Sequence, residues 1–167
     1  MKYQLFPRSQ GMTRELLGIV KCFENAIPAI NSDKYNLKSD EVLRELEASF
    51  EALDFRVEKG KRSDQKIRVP VLFGLNNDTD KEYNADAWSI DGRIVIEVEA
   101  GQATENNKFY KGIFQACLMH EVEYLVLAVR QVYRGHRDFE IIYTFLETLY
   151  LSGRVQLPLK AILLIGY

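Results

Sequence analysis

Cysteine and histidine are scarce in this sequence of 167 residues, which contains two of each. Cys22 and Cys117 lie far apart on segments predicted to be helical, so we interpret them as buried free thiols of a reducing compartment. His120 and His136 complete no zinc-binding motif, which argues against a zinc enzyme. The sequence also lacks the apolar run of a signal peptide and the ~20 apolar residues of a membrane span. Together these absences predict a cytoplasmic protein that does not enter membranes.

A strong excess of charge of one sign is absent as well, since the formal net charge is −2. The composition does not point to a nucleic-acid-binding protein, but it does not exclude one, because such binding needs only a locally basic surface. Residues 56–68 form one basic segment, with six Lys or Arg residues against two acidic ones. Arg130, Arg134 and Arg137 form a second basic group. Each group fits a phosphate-contacting surface and a solvated loop equally well.

The spacing of apolar residues predicts helices and strands along the chain, with no linker that would divide it into domains. The predicted helices cover residues 13–27, 39–54, 105–120 and 138–152, and the predicted strands cover residues 55–59, 67–75, 124–133 and 159–167, with a loop at 76–82 and a hairpin at 83–100. Thr13 is the expected N-cap of the first helix, and Pro28 is expected to follow its end. Pro70 marks its strand as an edge or bulged strand. The order of elements predicts a single α/β domain, built as a mixed sheet flanked by helices.

The stretch DAWSIDGRIVIEVEAGQ, residues 86–102, predicts the register of the hairpin. A two-residue turn at Asp91-Gly92 places Asp86 opposite Glu97 on the facing strand. Because side chains alternate along a strand, Glu99 lies on the same side of the sheet as Glu97. We therefore expect the three carboxylates to form one acidic cluster. A three-residue turn would shift the register by one residue and separate Asp86 from Glu97.

Like charges that face one another across a sheet destabilise it, so the predicted cluster needs a physical explanation. One carboxyl is protonated, or basic side chains neutralise the group, or a divalent cation does so. Oxygen ligands at this density suit Mg²⁺ or Mn²⁺. A solvated strand end is the alternative interpretation. We favour a functional site, since the run Ile94-Val95-Ile96 indicates cover on both faces of the strand just before Glu97.

The order of these residues resembles the PD-(D/E)xK nuclease superfamily, which includes many restriction endonucleases, and the resemblance covers residues 39–131. The signature of that superfamily is an Asp followed, often after a hairpin, by Glu-x-Lys on an apolar strand. Asp86 matches the Asp and Glu97 matches the Glu, whereas Glu99 occupies the position of the Lys. Some type II restriction enzymes have Glu or Gln there, so this departure concerns the identity of the general base.

The resemblance implies a restriction-endonuclease-like core, to which the helix at 13–27 and the helix-strand segment at 138–167 would be additions. It implies metal-dependent hydrolysis of phosphodiester bonds in DNA. It further implies that Asp86, Glu97 and the backbone carbonyl of Val98 hold Mg²⁺ or Mn²⁺.

Neighbouring residues receive roles from the same resemblance. Glu99 would be a second metal ligand or a base that orients water. A Glu from the first core helix often joins such sites, and Glu41 is preferred over Glu45 because it lies at the helix start; each is equally well explained as a solvated helix residue. Gln115 lies in an apolar neighbourhood, where an amide needs a partner, so we expect it at the site.

The expected DNA-binding surface combines the basic segments with the helix that follows the acidic strand. The residues expected to contact DNA are Lys59, Lys61, Arg62, Lys111 and Arg130. Asn107 lies on one polar line with Lys111 and Gln115, and the resemblance suggests that such residues contact phosphate or the site water. Gln102 is expected to line the cleft. Cutting both strands of a duplex requires two active sites, so a homodimer is expected.

Two other functions remain open from the residues. Because Glu99 replaces the expected lysine, the chain could be a non-catalytic member of the same fold that binds nucleic acid or a protein. A Mg²⁺-dependent hydrolase of nucleotides is the weaker alternative, since no Gly-rich phosphate loop supports it.

Overall fold

A computed structural model describes residues 1–101, 103–104 and 108–167 of the chain. Within these residues it contains four helices and eight strands, which confirms the predicted α/β class. The helices are α1 (Arg14–Ile30), α2 (Ser39–Glu51), α3 (Lys108–Leu118) and α4 (Asp138–Ser152). The strands are β1 (Lys2–Phe6), β2 (Phe55–Val57), β3 (Ile67–Phe73), β4 (Thr79–Ala85), β5 (Ala87–Ser89), β6 (Ile94–Glu99), β7 (Tyr124–Val129) and β8 (Ala161–Gly166).

Six strands form the central sheet in the order β1-β8-β7-β6-β5-β2. Strands β6, β7 and β8 are parallel, and β1, β5 and β2 extend the sheet by antiparallel pairing. The parallel strands are joined through α3 and α4, as parallel strands require a crossover connection. Strands β3 and β4 form a separate two-stranded antiparallel sheet. The sheet is therefore mixed, with its parallel strands in the interior.

The helices cover the two faces of the sheet in pairs. Helices α1 and α2 pack on the face that carries Ile94, Ile96 and Val98 of β6. Helices α3 and α4, together with buried residues of the β3–β4 hairpin, pack on the face that carries Val95. Because side chains alternate along a strand, Glu97 and Glu99 lie on the α3–α4 face. This alternation decides which helix can contribute to a site at the end of β6.

The helices follow the sequence pattern closely. The Thr13 side chain accepts a hydrogen bond from the backbone N–H of Leu16 at 3.2 Å, which confirms the predicted N-cap of α1. The prediction that Pro28 follows the end of this helix was wrong, because α1 runs to Ile30. A proline in the last turn removes one backbone hydrogen bond, and the burial of Ile30 in the core favours the additional residues. Helix α4 spans the predicted residues. Gly153, whose backbone is left-handed, caps its end directly after Ser152. No helix in the described ranges is long and apolar enough to cross a membrane.

The β5–β6 hairpin has the predicted register, with Ala87 paired to Ile96 and Trp88 paired to Val95. Its turn is wider than predicted, since the Ser89 hydroxyl accepts the hydrogen bond from the Ile94 backbone N–H. The pairing between the two strands is nevertheless the one expected for Asp91-Gly92, because widening the turn symmetrically leaves the register unchanged.

Several strand predictions were wrong. Strand β1 was not predicted, because a short strand at the edge of the sheet carries little local pattern. Strand β4 occupies residues predicted as a loop and as the start of the hairpin, and it pairs with β3 instead of β6. Its side chains are mostly exposed on both faces, so no alternation marks it. Strand β8 lies between β7 and β1, inside the six-stranded sheet.

Gly166 in β8 provides a test of how tightly α4 packs on the sheet. A Cβ atom at Gly166 would lie 2.6 Å from Cδ2 of the buried Phe139 ring. We expect Gly166→Ala to lower the free energy of unfolding by about 1–3 kcal/mol, because the ring must move. Gly11→Ala is the matched control, since nothing lies within 4 Å of the added atom. Urea denaturation measures both, and equal stabilities for the two variants would contradict the packing.

Candidate functional site

Three acidic residues lie in one row across three neighbouring strands. Val57 pairs with Ala87, and Ala87 pairs with Ile96, so the next residues along the ladder, Glu58, Asp86 and Glu97, face one another. The backbone N–H of Glu58 donates to the carbonyl of Asp86 at 2.8 Å, which continues the pairing beyond β2. We call Glu58, Asp86 and Glu97 the acidic row. Its members lie on the α3–α4 face of the sheet.

Asp86 is fixed by a hydrogen bond of its side chain to the backbone of β6. Its Oδ2 accepts the N–H of Val98 at 2.6 Å. The backbone ladder between β5 and β6 ends at Ala87, so this carboxylate takes the place of a ladder acceptor. The N–H and C=O of one strand residue point to the same neighbouring strand, so the Val98 carbonyl also faces the Asp86 side.

The acidic row lines a pocket of about 440 Å³ between the sheet and α3. Its walls come from the ends of β2, β4 and β6, from the segment before β3, and from one side of α3. We call it the acidic pocket, and its lining residues are Glu58, Lys66, Asn84, Ala85, Asp86, Glu97, Glu99, Lys108, Lys111, Gly112 and Gln115.

Gly112 of α3 lies over the acidic row. A Cβ atom at Gly112 would lie 3.9 Å from Cγ of Glu97, an ordinary van der Waals contact. A longer side chain at this position would project toward the Glu97 carboxylate. The open space above Glu97 therefore depends on the lack of a side chain at residue 112.

Burial and mutual repulsion raise the pKa values of the clustered carboxyls. Burial is the main cause for Asp86 and, together with the charges of Glu58 and Glu99, raises its pKa to about 7, against the lowering effect of the Val98 N–H and of Lys66. The pKa of Glu97 is raised well above its ordinary value by burial and by the neighbouring carboxylates, Asp86 first. Burial also raises the pKa of Glu99. Perturbation of this kind is enriched at functional sites.

Lysines partly offset this negative charge. Lys66 Nζ lies 3.1 Å from Oε2 of Glu58, and both side chains are largely covered. The charge of Lys111 lowers the pKa values of both Glu97 and Glu99, and Lys108 acts on Glu99 in the same way. The raised pKa values show that these cations do not compensate for the burial and repulsion of the carboxylates.

The structure brings many of the predicted site residues together. Asp86, Glu97, Glu99, Lys111 and Gln115 all line the acidic pocket. Val98 lies between the two glutamates of β6, with its side chain buried on the opposite face. The predicted positions 102 and 107 fall outside the described residues.

The structure does not bring Glu41, which was expected at the site, to the acidic pocket. Its carboxylate accepts a hydrogen bond from the backbone N–H of Lys38 at 2.7 Å and so caps its own helix. Helix α2 packs on the face of the sheet opposite to the acidic row, so neither Glu41 nor Glu45 lines the acidic pocket.

Arg130, which was expected to contact DNA, is buried away from the acidic pocket. Its side chain is 5% exposed, and its guanidinium donates to the Asn36 side chain and to the Leu37 carbonyl. It also lies over the ring of Tyr133, 5.0 Å from the centroid. Arg130 therefore anchors a loop to the end of β7, and its donors are engaged inside the protein.

The basic segment 56–68 is more neutral than its sequence indicates. Lys59 Nζ lies 2.8 Å from a carboxylate oxygen of Glu47 and 2.9 Å from one of Glu51. Arg62 lies beside Asp64, with 3.2 Å between Nε and Oδ1. Arg62 and Lys59 are exposed but paired, which weakens the expectation that they contact DNA.

Part of the basic segment leads into the acidic pocket. Lys61, Lys66 and Arg68 line an adjoining cavity of about 380 Å³, which shares Lys66 and Asn84 with the acidic pocket. We call this adjoining cavity the basic groove. Arg68 is balanced there by Glu82 at 3.6 Å.

Sequence reasoning missed Glu58 and Lys66. Glu58 was placed in the predicted strand 55–59 and Lys66 in the basic loop after it, and neither belongs to the signature that matches Asp86 and Glu97. A signal for Glu58 was present, since FRVEK alternates and places Glu58 on the same side as Arg56, opposite to the apolar Phe55 and Val57. Its position in the acidic row requires the pairing of β2 with β5, which no local pattern specifies.

The oxygen donors of the acidic pocket suit a hard divalent cation, but they do not form a ready-made metal site. Among residues 1–101, 103–104 and 108–167, no group of three or more His, Cys, Asp or Glu side chains has an arrangement that could hold a metal ion. One oxygen of Asp86 is engaged by the Val98 N–H. The oxygen donors are thus of the type that Mg²⁺ or Mn²⁺ prefers, but their arrangement in the described residues does not by itself hold a metal.

Comparison of the chain with protein-family models, with curated proteins and with solved structures finds no match. The function must therefore be argued from the geometry and chemistry of the acidic pocket.

The raised pKa of Asp86 predicts how stability depends on pH in metal-free buffer. A carboxyl whose pKa is higher in the folded chain contributes its full stability below its unfolded value, and loses it as the pH rises through the folded value. For Asp86 this loss falls between about pH 4 and about pH 7. Asp86→Asn retains an oxygen acceptor for the Val98 N–H but cannot ionise. We expect the change that it causes in the free energy of unfolding to be about 1–2 kcal/mol more favourable at pH 8 than at pH 4.

Urea denaturation across this pH range in the presence of a chelator measures the effect. Glu45→Gln is the control, because Glu45 is an exposed glutamate on the opposite side of the sheet. An unchanged pH dependence in Asp86→Asn would show that the carboxyl is not perturbed.

Proposed function

We propose that the chain is a divalent-metal-dependent nuclease that hydrolyses phosphodiester bonds in DNA at the acidic pocket. The observation that carries this proposal is the acidic row, in which three adjacent strands present Glu58, Asp86 and Glu97 to one covered space. Crowded carboxylates destabilise a fold unless something neutralises them, and a divalent cation is an effective neutraliser. The resemblance to the PD-(D/E)xK superfamily agrees with this reading.

Asp86, Glu97 and the backbone carbonyl of Val98 would hold the metal, with Glu58 as a further carboxylate beside Asp86. A bound Mg²⁺ or Mn²⁺ supplies positive charge to a phosphate and lowers the pKa of coordinated water. Glu99 projects into the same pocket, two residues beyond Glu97, where a carboxylate is suited to accept a proton from water. Its raised pKa brings it closer to neutral pH, where a general base acts best.

Two lysines from other segments of the chain line the acidic pocket, where the superfamily has a lysine at the position of Glu99. Lys66 enters the pocket from the segment before β3, and Lys111 enters from α3. Lys111 already lowers the pKa values of Glu97 and Glu99, so its charge acts at the centre of the pocket. We assign Lys111 the role of a phosphate contact, and Lys66 the role of a cation that balances Glu58 and Asp86.

The basic groove supports a polyanionic substrate. It runs directly into the acidic pocket through Lys66 and Asn84, and Lys61 lies exposed along it. A phosphate backbone laid in this groove would bring one phosphate to the acidic row while its neighbours contact lysine. Lys61, Lys66 and Lys111 are therefore the proposed DNA contacts, and duplex cleavage would require two copies of the chain. A cytoplasmic location is part of this proposal and fits the free thiols of Cys22 and Cys117.

A non-catalytic DNA-binding module is the second candidate. It is favoured by two observations, the replacement of the expected lysine by Glu99 and the lack of a preassembled three-ligand metal site among the described residues. In this case the basic groove would bind DNA, and the acidic pocket would make no contribution to chemistry.

Metal binding can be measured without any substrate. We expect Mn²⁺ to bind the wild-type chain at one site in isothermal titration calorimetry, and Glu97→Gln to weaken this binding at least about tenfold, because a charged ligand is lost. At a Mn²⁺ concentration of about 100 times Kd, the free energy of unfolding should rise by about 2.7 kcal/mol. Glu41→Gln is the control, and equal Mn²⁺ affinity in both variants would remove the acidic row from the metal site.

DNA cleavage distinguishes the two candidates. We expect the wild-type chain to cut plasmid, linear or single-stranded DNA in Mg²⁺ or Mn²⁺, and Glu97→Ala to lower the rate by about a hundredfold or more. Glu41→Ala is the control, because the residue lies on the other face of the sheet. DNA binding without cleavage under any metal would support the binding module, and the lack of both activities would overturn both candidates.

A further inference from the structure

A second cavity, of about 450 Å³, lies at the other end of β6 from the acidic pocket. Its apolar wall comes from Leu53, Phe55, Ile90 and Ile94. Ile94 is the first residue of β6, whereas the acidic row meets that strand at Glu97. The cavity is thus separate from the proposed nuclease site, and we call it the turn cavity because the β5–β6 turn forms one side of it. Its volume falls in the range of small-molecule sites.

The charged residues of the turn cavity are all acidic. Glu15 at the start of α1, Asp54 after α2 and Asp91 in the β5–β6 turn reach it from three separate elements. Hydrogen bonds with its own backbone and with the Thr13 side chain lower the pKa of Glu15. Burial raises the pKa of Asp91. Hydrogen bonds from the Ser89 hydroxyl and the Arg93 backbone lower it by more than burial raises it, so the net shift is downward. Glu15 and Asp91 therefore carry negative charge at neutral pH.

Arg93 balances part of this charge. Its Nε lies 3.1 Å from Oδ2 of Asp91, and its charge also lowers the pKa of Glu15. Glu15 and Asp54 form no ion pair within the described part of the chain. The three carboxylates of the turn cavity therefore outnumber this one arginine, and they lie beside an apolar wall.

The apolar residues at the cavity are unusually accessible. Ile90 is 60% exposed and Leu53 is 37% exposed, although both belong to residue types that normally lie inside. The backbone holds them there, since the Ile90 N–H donates to the Asp54 carbonyl at 2.8 Å and Asp54 has a left-handed conformation, with φ of 60°. The apolar wall and the acidic side chains thus keep a fixed relation to one another.

We propose that the turn cavity binds an organic cation, an alkylammonium or guanidinium group carried on a hydrocarbon chain. The hydrocarbon would contact the apolar wall, and the cationic head would lie between Glu15 and Asp54. A phosphate-bearing ligand would be repelled by the same carboxylates. A bare metal ion would gain nothing from the apolar wall, which cannot replace its water ligands.

Three probes of equal length separate the contribution of charge from that of the hydrocarbon. n-Hexylammonium, hexan-1-ol and hexanoate are titrated into the full chain at neutral pH, and amide chemical shifts are followed by NMR. We expect n-hexylammonium to bind in the millimolar range, as suits a ligand of about seven non-hydrogen atoms, with shifts at Leu53, Ile90 and Ile94. We expect the alcohol to bind at least about fivefold more weakly, and hexanoate not to bind.

The double variant Glu15→Gln, Asp54→Asn tests the assigned residues. Asparagine adopts a left-handed backbone readily, so the position of Asp54 should tolerate it. We expect the variant to weaken n-hexylammonium binding at least about fivefold and to leave hexan-1-ol unchanged. Glu24→Gln, an exposed glutamate elsewhere on α1, is the matched control. The chemical shifts of the free variant establish that it is folded.

Two sources of such a cation are distinguished by one further arm, a short peptide with acetyl-Leu-Lys-amide sequence. Binding of the peptide more tightly than n-hexylammonium would identify a lysine side chain of another protein, and the reverse would identify a free amine. Equal binding of amine and alcohol, shifts that map away from the turn cavity, or unchanged amine affinity in the double variant would each overturn the proposal.

Discussion

The hydrogen bond from the Val98 backbone to the Asp86 carboxylate is the interaction on which the acidic pocket depends. The antiparallel ladder between β5 and β6 stops at Ala87, and without this bond the N–H of Val98 would be left without a partner in a covered region. A side chain thus completes a backbone ladder. This hydrogen bond holds the Asp86 carboxylate beside Glu58 and Glu97, although their charges repel it.

This arrangement opposes the stability of the fold. The acidic row places like charges on adjacent strands, and burial strengthens their repulsion. The compensating contributions come from elsewhere, above all from the parallel strands β6, β7 and β8, which are buried on both faces. The stable apolar strands thus tolerate an unfavourable cluster of charges in one part of the sheet. Unfavourable interactions of this kind are expected where they serve a function.

The sequence predicted the grouping of the three carboxylates better than it predicted the pairing of the strands. The Asp91-Gly92 turn and the alternation of β6 were sufficient to place Asp86, Glu97 and Glu99 together, because register and side-chain direction are local properties. Glu58 and Lys66 could not be placed in this way, since their positions depend on pairings between distant segments. The location of Glu41 could not be predicted for a related reason. Helix periodicity shows which residues face the sheet, but it does not show which face of the sheet the helix covers.

Gly112 of α3 affects the size of the acidic pocket without affecting its charge. Every charged group of the acidic pocket contributes to its electrostatics, whereas Gly112 contributes only empty space above Glu97. The depth of the pocket can therefore change through one uncharged residue, in steps of single carbon atoms, while the set of carboxylates and lysines stays the same. A larger side chain at this position would therefore limit the size of what reaches the acidic row without changing the charge around it.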